Sequence, residues 1–258
     1  MSEAFQKAMK EGKIQDTSLK PKKKNDYEKA LMPGNELIKK HKDSCIQSGH
    51  TEKTIEELGV KSSLNYNSII FPIWDINKKK IRGYRARYND EVIKANKYPS
   101  REEETPKYRP SEGLGNVFFF PHIGKINWSE IAQNPKVPIF ITEGEKKAAK
   151  LTQEGYPAIG LFGVNNWART ETREINGKEV EVSIPIDDFE LIKWKERIIY
   201  IVYDSDKYKN IHVLIAEARL WAHFADLNAD ARVINLPYDS EAKGIDDFFV
   251  KHGDGNNE

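Results

Sequence analysis

Residues 137–154 read VPIFITEGEKKAAKLTQE, an apolar run that stops at Thr142, turns at Glu143–Gly144 and passes into charged, helix-forming residues. Such a run predicts a buried strand, and Glu145–Glu154 predicts a helix. The alternation continues outward from there. Ala158–Phe162 reads as a second strand, Ile198–Tyr203 as a third, Ile211–Leu227 as a long helix and Ala231–Leu236 as a fourth strand. Strands alternating with helices call for an α/β fold, a parallel sheet flanked by helices, and residues 136–252 are assigned to it. One interruption is legible near 170–184, where Asn176–Gly177 sits between alternating residues and predicts an inserted hairpin.

Upstream, residues 27–135 predict a smaller mixed α+β region. Leu31, Leu37, Ile38, Ile46, Ile55 and Leu58 recur at helical intervals, with breaks at Pro33–Gly34 and Ser48–Gly49. Ser68–Trp74 and Ile81–Arg87 flank a polar turn and predict two antiparallel strands. Asn89–Gly115, charged and punctuated by proline, predicts an ordered surface loop with no core element, ending at Val117–Phe120. Residues 1–26 carry the run Lys20–Pro21–Lys22–Lys23–Lys24 and little apolar surface, which predicts a flexible basic arm. That arm either touches a phosphate backbone or is simply solvated. Residues 253–258 predict a disordered tail.

Hydrophobic residues make up 38% of the 258-residue chain and charged residues 31%, so the core depends on the short apolar runs. The formal charge of +1 excludes attraction to a polyanion by a global field and leaves local clusters of Lys and Arg to supply it. A single cysteine, Cys45, excludes an internal disulfide and a Cys-based zinc cage, and favours a reducing, cytoplasmic setting. No apolar stretch approaches the ~20 residues of a membrane span, so a soluble chain with no membrane partner is expected.

In an open α/β sheet, ligands bind beyond the carboxyl ends of the strands. Two of the strands end in acids: one in Glu143, the other in Asp204–Ser205–Asp206. If the extended conformation persists, the i, i+2 spacing turns Asp204 and Asp206 to one side. A glutamate at a helix start also suits the helix dipole, and a lone Asp-x-Asp is also a turn or cap. Their joint placement favours three converging carboxylates, a hard-oxygen set suited to Mg²⁺ (or Mn²⁺) and phosphoryl transfer. Glu143 is then either a ligand or a general base.

These segments resemble the TOPRIM domain of bacterial replicative primases, topoisomerases and certain nucleases, an apolar strand with Glu-Gly, a helix, and a later strand ending in Asp-x-Asp. Ile70–Asp75, Ile81–Tyr84 and Thr105–Tyr108 resemble the primase segments that precede it. Ile141–Ala148, Gly163–Trp167 and Lys243–Asp247 are similar to an uncharacterised TOPRIM-like family of phages, plasmids and other mobile elements, whose members are often fused to helicase-like modules. The resemblance implies a TOPRIM (Rossmann-like) sheet and a metal-dependent primase-like nucleotidyltransferase. Its partners would be single-stranded DNA or RNA, nucleoside triphosphates and a helicase. A TOPRIM nuclease and a non-catalytic nucleic-acid-binding module are the competing expectations, and a topoisomerase is disfavoured because no separate tyrosine-bearing domain is evident. The sequence departs from the primase pattern at Lys147, where an acid is usual.

Further candidates surround the acids. Arg85 and Arg87 share one face of a predicted strand and either grip phosphates or belong to a polar sheet face. Lys107 lies in the loop that the resemblance puts near the groove, and Lys146 and Lys147 either hold phosphate or sit on the helix surface. Asp246 and Asp247 are candidates to supply a further metal acid, and Asp246 is equally the N-cap of a short helix. Tyr84, Tyr88 and Tyr108 are candidates for base stacking or for the core. Asn165, Asn166 and Trp167 follow the second strand and are candidates to line the site. His122, His212 and His223 show no ligand spacing.

Overall fold

The computed structural model describes residues 25–99 and 104–253. Nearly all of the expected arm, and the expected tail beyond Gly253, lie outside the described residues. The first helix begins inside the span assigned to the arm. Asn25 accepts the Glu28 N–H through Oδ1 at 2.7 Å and so caps α1, Asp26–Ala30. Helices α2 (Lys39–Gln47) and α3 (Glu52–Leu58) follow, divided at Ser48–Gly49 as the sequence predicts.

Strands β1 (Lys61–Ser62), β2 (Ser68–Trp74), β3 (Ile81–Tyr88) and β4 (Tyr108–Pro110) form an antiparallel sheet in that spatial order. The expectation of a plain loop over 89–115 is corrected here. That stretch holds helix α4 (Asp90–Lys94) and the edge strand β4, and it buries Val92, Tyr98, Thr105 and Leu114. Its few apolar residues are too widely spaced to show a period. They are buried because Tyr98 packs its ring 5.4 Å from Tyr88 and its hydroxyl meets the Asp26 carboxylate at 2.7 Å.

The second half carries α5 (Trp128–Gln133), β5 (Ile139–Glu143), α6 (Glu145–Gln153), β6 (Ala158–Leu161), β7 (Ala168–Ile175) and β8 (Lys178–Pro185). It ends with β9 (Ile198–Val202), α7 (Ile211–Asp226), β10 (Asp230–Ile234) and α8 (Ile245–His252). Strands β10, β9, β5 and β6 form one sheet in that order, every neighbouring pair parallel. Chain order therefore reverses between β5 and β9. The hairpin β7–β8 is a separate ribbon turning at Asn176–Gly177, both with positive φ, as its sequence predicts. It runs slightly beyond the expected 170–184.

Alternation along the strands explains why the sheet is covered on both faces. Ile139, Ile141, Ile199 and Ile201 point to a core with Trp128, Leu220 and Phe224, while Phe140 and Val202 point to a second core with Ala148, Leu151 and Phe71. Each of the four isoleucines is at most 1% exposed, and each contributes about 1.5–3 kcal/mol by burial. Phe119 exchanges backbone hydrogen bonds with Gly160, so the segment after the antiparallel sheet borders β6.

Charged contacts tie the antiparallel sheet and the lead-in helices to the parallel sheet. Arg85 Nη1 lies 2.7 Å from Glu145 Oε1, and Arg85 Nη2 donates to the Phe162 carbonyl. The guanidinium lies between the rings of Tyr108 and Phe162, 4.8 and 4.2 Å from their centroids. Arg82 donates to both carboxylate oxygens of Asp188, which also accepts the Phe118 N–H at 2.7 Å. Lys146 Nζ donates to the Ser44 carbonyl at 2.7 Å on α2, and His50 Nε2 to the Lys146 carbonyl at 2.9 Å. Among the described residues no helix is long and apolar enough to cross a membrane.

Candidate functional site

Strand β5 ends on Glu143, and the chain leaves it through Gly144, whose φ of 92° admits a glycine at little cost and turns the backbone into α6. Strand β9 ends one residue before Tyr203, and Asp204 follows. These two strands flank the point at which the sheet order reverses, where open α/β sheets form their ligand crevice. Glu143 and Asp204 accordingly line the same two cavities.

The larger cavity, of about 460 Å³, is walled by Arg85, Arg87, Lys107, Lys146, Lys147 and Lys243, with Glu143, Asp204, Asp246 and Asp247 among them. The smaller, of about 210 Å³, holds Glu143, Asp204 and Asp206 together with Lys207 and Lys209. The extended conformation on which Asp204 and Asp206 were expected to share one side does not persist, although both line the smaller cavity. The chain enters a 3-10 turn at Ser205–Lys209, so the extended conformation ends and Asp206 lines only the smaller cavity. Asp206 Oδ2 also pairs with Lys243 Nζ, from the wall of the larger cavity, at 3.0 Å.

Lys147 Nζ lies 2.5 Å from Asp204 Oδ1. Burial alone would lower the pKa of Lys147, but the carboxylates of Asp204, Asp246 and Glu143 outweigh it and hold the ammonium above its usual value. Lys146, by contrast, is not a surface residue as one expectation had it. It is 8% exposed, its head is hydrogen-bonded to Ser44 and Ser48, and burial pulls it down to about 8.

Asp246 is not the helix N-cap. Gly244 is, with the Asp247 carboxylate accepting the Gly244 N–H at 3.3 Å. Asp246 is the second residue of the helix, 7% exposed, and burial raises its carboxyl above the usual range. Its Oδ1 is buried without a hydrogen-bond partner and belongs to a residue lining the larger cavity.

The basic wall divides into fixed and available groups. Arg85 is buried in its pair with Glu145, so the expected grip on phosphate gives way to a structural contact that frames the cavity. Arg87 is half-buried, 3.2 Å from Asp90, and Lys107 is exposed with its ammonium 5.9 Å from the Tyr108 ring. Tyr88 is fully buried and belongs to the core, and burial pushes the Tyr108 hydroxyl up to about 12. Trp167 stacks on His223 at 5.2 Å inside the core, away from the acids. Asp247, expected with Asp246 as a further acid of the crevice, does line the larger cavity, whereas sequence reasoning missed Lys243 and Ser48 as lining residues. Lys243 opens the Lys243–Asp247 segment that carries the resemblance, and that position beside the acids was the available signal.

The donor set suits a hard divalent ion, since Glu143, Asp204 and Asp206 offer oxygen alone and Asp246 Oδ1 is buried and unsatisfied. Among the described residues no three His, Cys, Asp or Glu side chains stand as a finished metal cage. Magnesium characteristically takes one or two carboxylates, completing its shell with water and substrate phosphate.

Residues 127–256, half of the chain, match the family described as a domain of unknown function, DUF3854. The chain belongs to the DUF3854 family. The DUF3854 stretch runs from α5 through α8 and contains Glu143, Lys147, Asp204, Asp206 and Asp246. Arg85, Arg87, Lys107 and Tyr108, which complete the larger cavity, come from residues before it. An uncharacterized protein of Picosynechococcus sp. is 33% identical over 127 residues, which are 49% of this chain and 13% of that protein. The chain thus matches a small part of that relative's length.

Proposed function

We propose that this chain is a TOPRIM-type, primase-like nucleotidyltransferase that joins nucleotides on single-stranded DNA or RNA with Mg²⁺ or Mn²⁺, in the replication of a mobile element. The observation that carries the reading is the meeting of Glu143 and Asp204, at the ends of the two central strands, over a cavity walled by cations. Carboxylates among lysines and arginines suit a substrate that brings both a phosphate and a divalent ion.

In this reading Arg87, Lys107 and Lys243 hold the phosphates of template and incoming nucleoside triphosphate by charge and hydrogen bonds. Glu143 and Asp204, with Asp206 once Lys243 releases it, would hold the divalent ion, water and substrate phosphate completing its shell. When bound, such an ion would supply Lewis-acid polarisation of the phosphoryl oxygen. Transfer forms a bond from the chain-terminal hydroxyl oxygen to the α-phosphorus and releases pyrophosphate. Where Glu143 is not itself a ligand, it accepts the hydroxyl proton. The motifs resemble those of proteins fused to helicase-like modules, so a helicase exposing the unpaired template is the partner this reading takes.

One observation favours a second reading. The Lys147–Asp204 pair already neutralises an acid of the centre, which suits a nucleic-acid-binding module without turnover. A nuclease would use the same acids to activate water. The readings separate on incubation with single-stranded template, nucleoside triphosphates and Mg²⁺ or Mn²⁺. Short products are expected, reduced at least about 100-fold in Glu143→Gln. Loss of labelled DNA without added nucleotides favours the nuclease. Undiminished binding in Asp204→Ala, together with no turnover by the wild type under any condition, favours the binding module, and either result overturns the polymerising reading.

A further inference from the structure

Lys147 rises from the first turn of α6 and ends 2.5 Å from Asp204 Oδ1, with Asp246 and Glu143 as its further electrostatic partners. Its side chain is 19% exposed and that of Asp204 34%, so the ammonium end of the pair is shielded from water while the carboxylate stays open to the cavities. Gly244 backs directly onto the cluster. A Cβ there would stand 2.4 Å from Asp246 Oδ1, 2.8 Å from Lys147 Cε and 3.5 Å from Asp204 Oδ1. The α8 N-terminus therefore closes tightly on the lysine and the two aspartates, and only a glycine leaves them room.

The two cavities that meet at Glu143 and Asp204 are not equivalent. Lys147 lines the larger, with Asp246, and is absent from the smaller, where Asp206 is the additional acid. A divalent ion entering between Asp204 and Asp246 would have to displace the ammonium and leave it unpaired beside Lys146 and Lys243, against like-charge repulsion. On the Asp206 side Lys243 Nζ pairs with Asp206 Oδ2 at 3.0 Å, but that lysine is 50% exposed and can turn out to water, as the shielded Lys147 cannot, and the other two cations are engaged elsewhere. Lys207 is buried against Glu217 at 2.5 Å, and Lys209 meets the Tyr238 hydroxyl at 2.6 Å.

We infer that Lys147 is a built-in cation: its ammonium holds one of two cation positions at these carboxylates, and the site takes a single divalent ion, on the Asp206 side. The inference rests on the metal-dependent reading of the site and deepens it. A centre of this kind balances the charge of a phosphate with one exchangeable ion and one ammonium, and the ammonium adds hydrogen-bond donors without demanding a coordination shell.

The test counts Mn²⁺ bound to the full chain, by the electron paramagnetic resonance signal of the free ion during titration, with no nucleotide or nucleic acid present. Wild type is expected to bind one ion. Lys147→Met, which keeps the length of the side chain and removes its charge, is expected to bind a second. Lys147→Arg, which keeps the charge, stays at one, and it serves as the folded reference if Lys147→Met has a disturbed circular dichroism spectrum. Lys147→Gln then replaces Lys147→Met in the comparison. Equal counts in the wild type and in the folded uncharged variant overturn the inference. Failure of the wild type to make nucleotide products would count against the nucleotidyltransferase reading and leave the ion count standing, so the two failures are distinguishable.

Discussion

The first turn of α6 carries two ion pairs, Glu145 with Arg85 and Lys147 with Asp204, and they end in opposite settings. Arg85 meets Glu145 between two aromatic rings, with the carboxylate 0% and the guanidinium side chain 7% exposed. Lys147 meets Asp204 at the rim where two cavities join. The first pair belongs to a seam that also contains Arg82–Asp188, Lys146 on Ser44, and His50 on the Lys146 carbonyl. The second belongs to a basin of carboxylates and lysines in which Lys107 is exposed. A charge sealed in a seam acts on whether the protein folds, because removing its partner strands an ion in a low-dielectric interior. A charge at the cavity acts on what the protein holds, because water or a ligand replaces the missing partner.

The sharpest way to break this contrast is Arg85→Ala. It leaves Glu145 buried and unpaired and is expected to lower unfolding stability by about 3–5 kcal/mol in denaturant titration. Arg85→Met combined with Glu145→Leu is expected to recover most of that loss, since both charges are then gone. A small loss in the single variant would mean that the seam is not sealed in solution.

Acid is expected to act on the seam next. His50 Nε2 must donate to a carbonyl, so Nδ1 is the bare nitrogen, and it is buried with no partner to receive the proton's N–H. Burial accordingly lowers the imidazole from 6.5 to about 4. Because the folded value lies below the unfolded one, the unfolded chain binds the proton first as pH falls. The contribution is complete above about pH 6.5 and is lost as pH falls to about 4, a decline of about 3 kcal/mol. Stability measured against pH should show this slope in the wild type and lose it in His50→Gln.

The smallest effect is expected at the cavity rim. Lys107→Ala should leave the melting temperature within error and weaken single-stranded DNA binding. It should also reduce the slope of log affinity against log salt by about 1, as for one phosphate contact. An unchanged slope would remove Lys107 from the binding surface.

Much of the architecture was legible because its signals are local. Runs such as Ile139–Thr142 and Ile198–Val202 announce strands by composition, and Asn176–Gly177 announces a hairpin by its backbone requirement. The segment 89–115 was not legible, since Val92, Tyr98 and Leu114 are spread over a charged, proline-bearing stretch and find their partners on β3 and α1. Among the site residues, Glu143 and Asp204 could be chosen because each follows an apolar strand. The fate of Arg85 and Lys146 could not, because nothing beside them in sequence announces Glu145, Phe162 or Ser44 as a partner.

By itself the sequence determined that a parallel sheet would form and that acids would follow two of its strands, for strand, helix and turn preferences act between near neighbours in the chain. Tertiary structure alone decided that β5 and β9 lie side by side, bringing Glu143 and Asp204 together. It also turned Asp206 toward the smaller cavity, put an ammonium on Asp204 and sealed Arg85 in the seam. Those outcomes depend on which side chains share a dry interior, and that is fixed only when surfaces distant in sequence pack against each other.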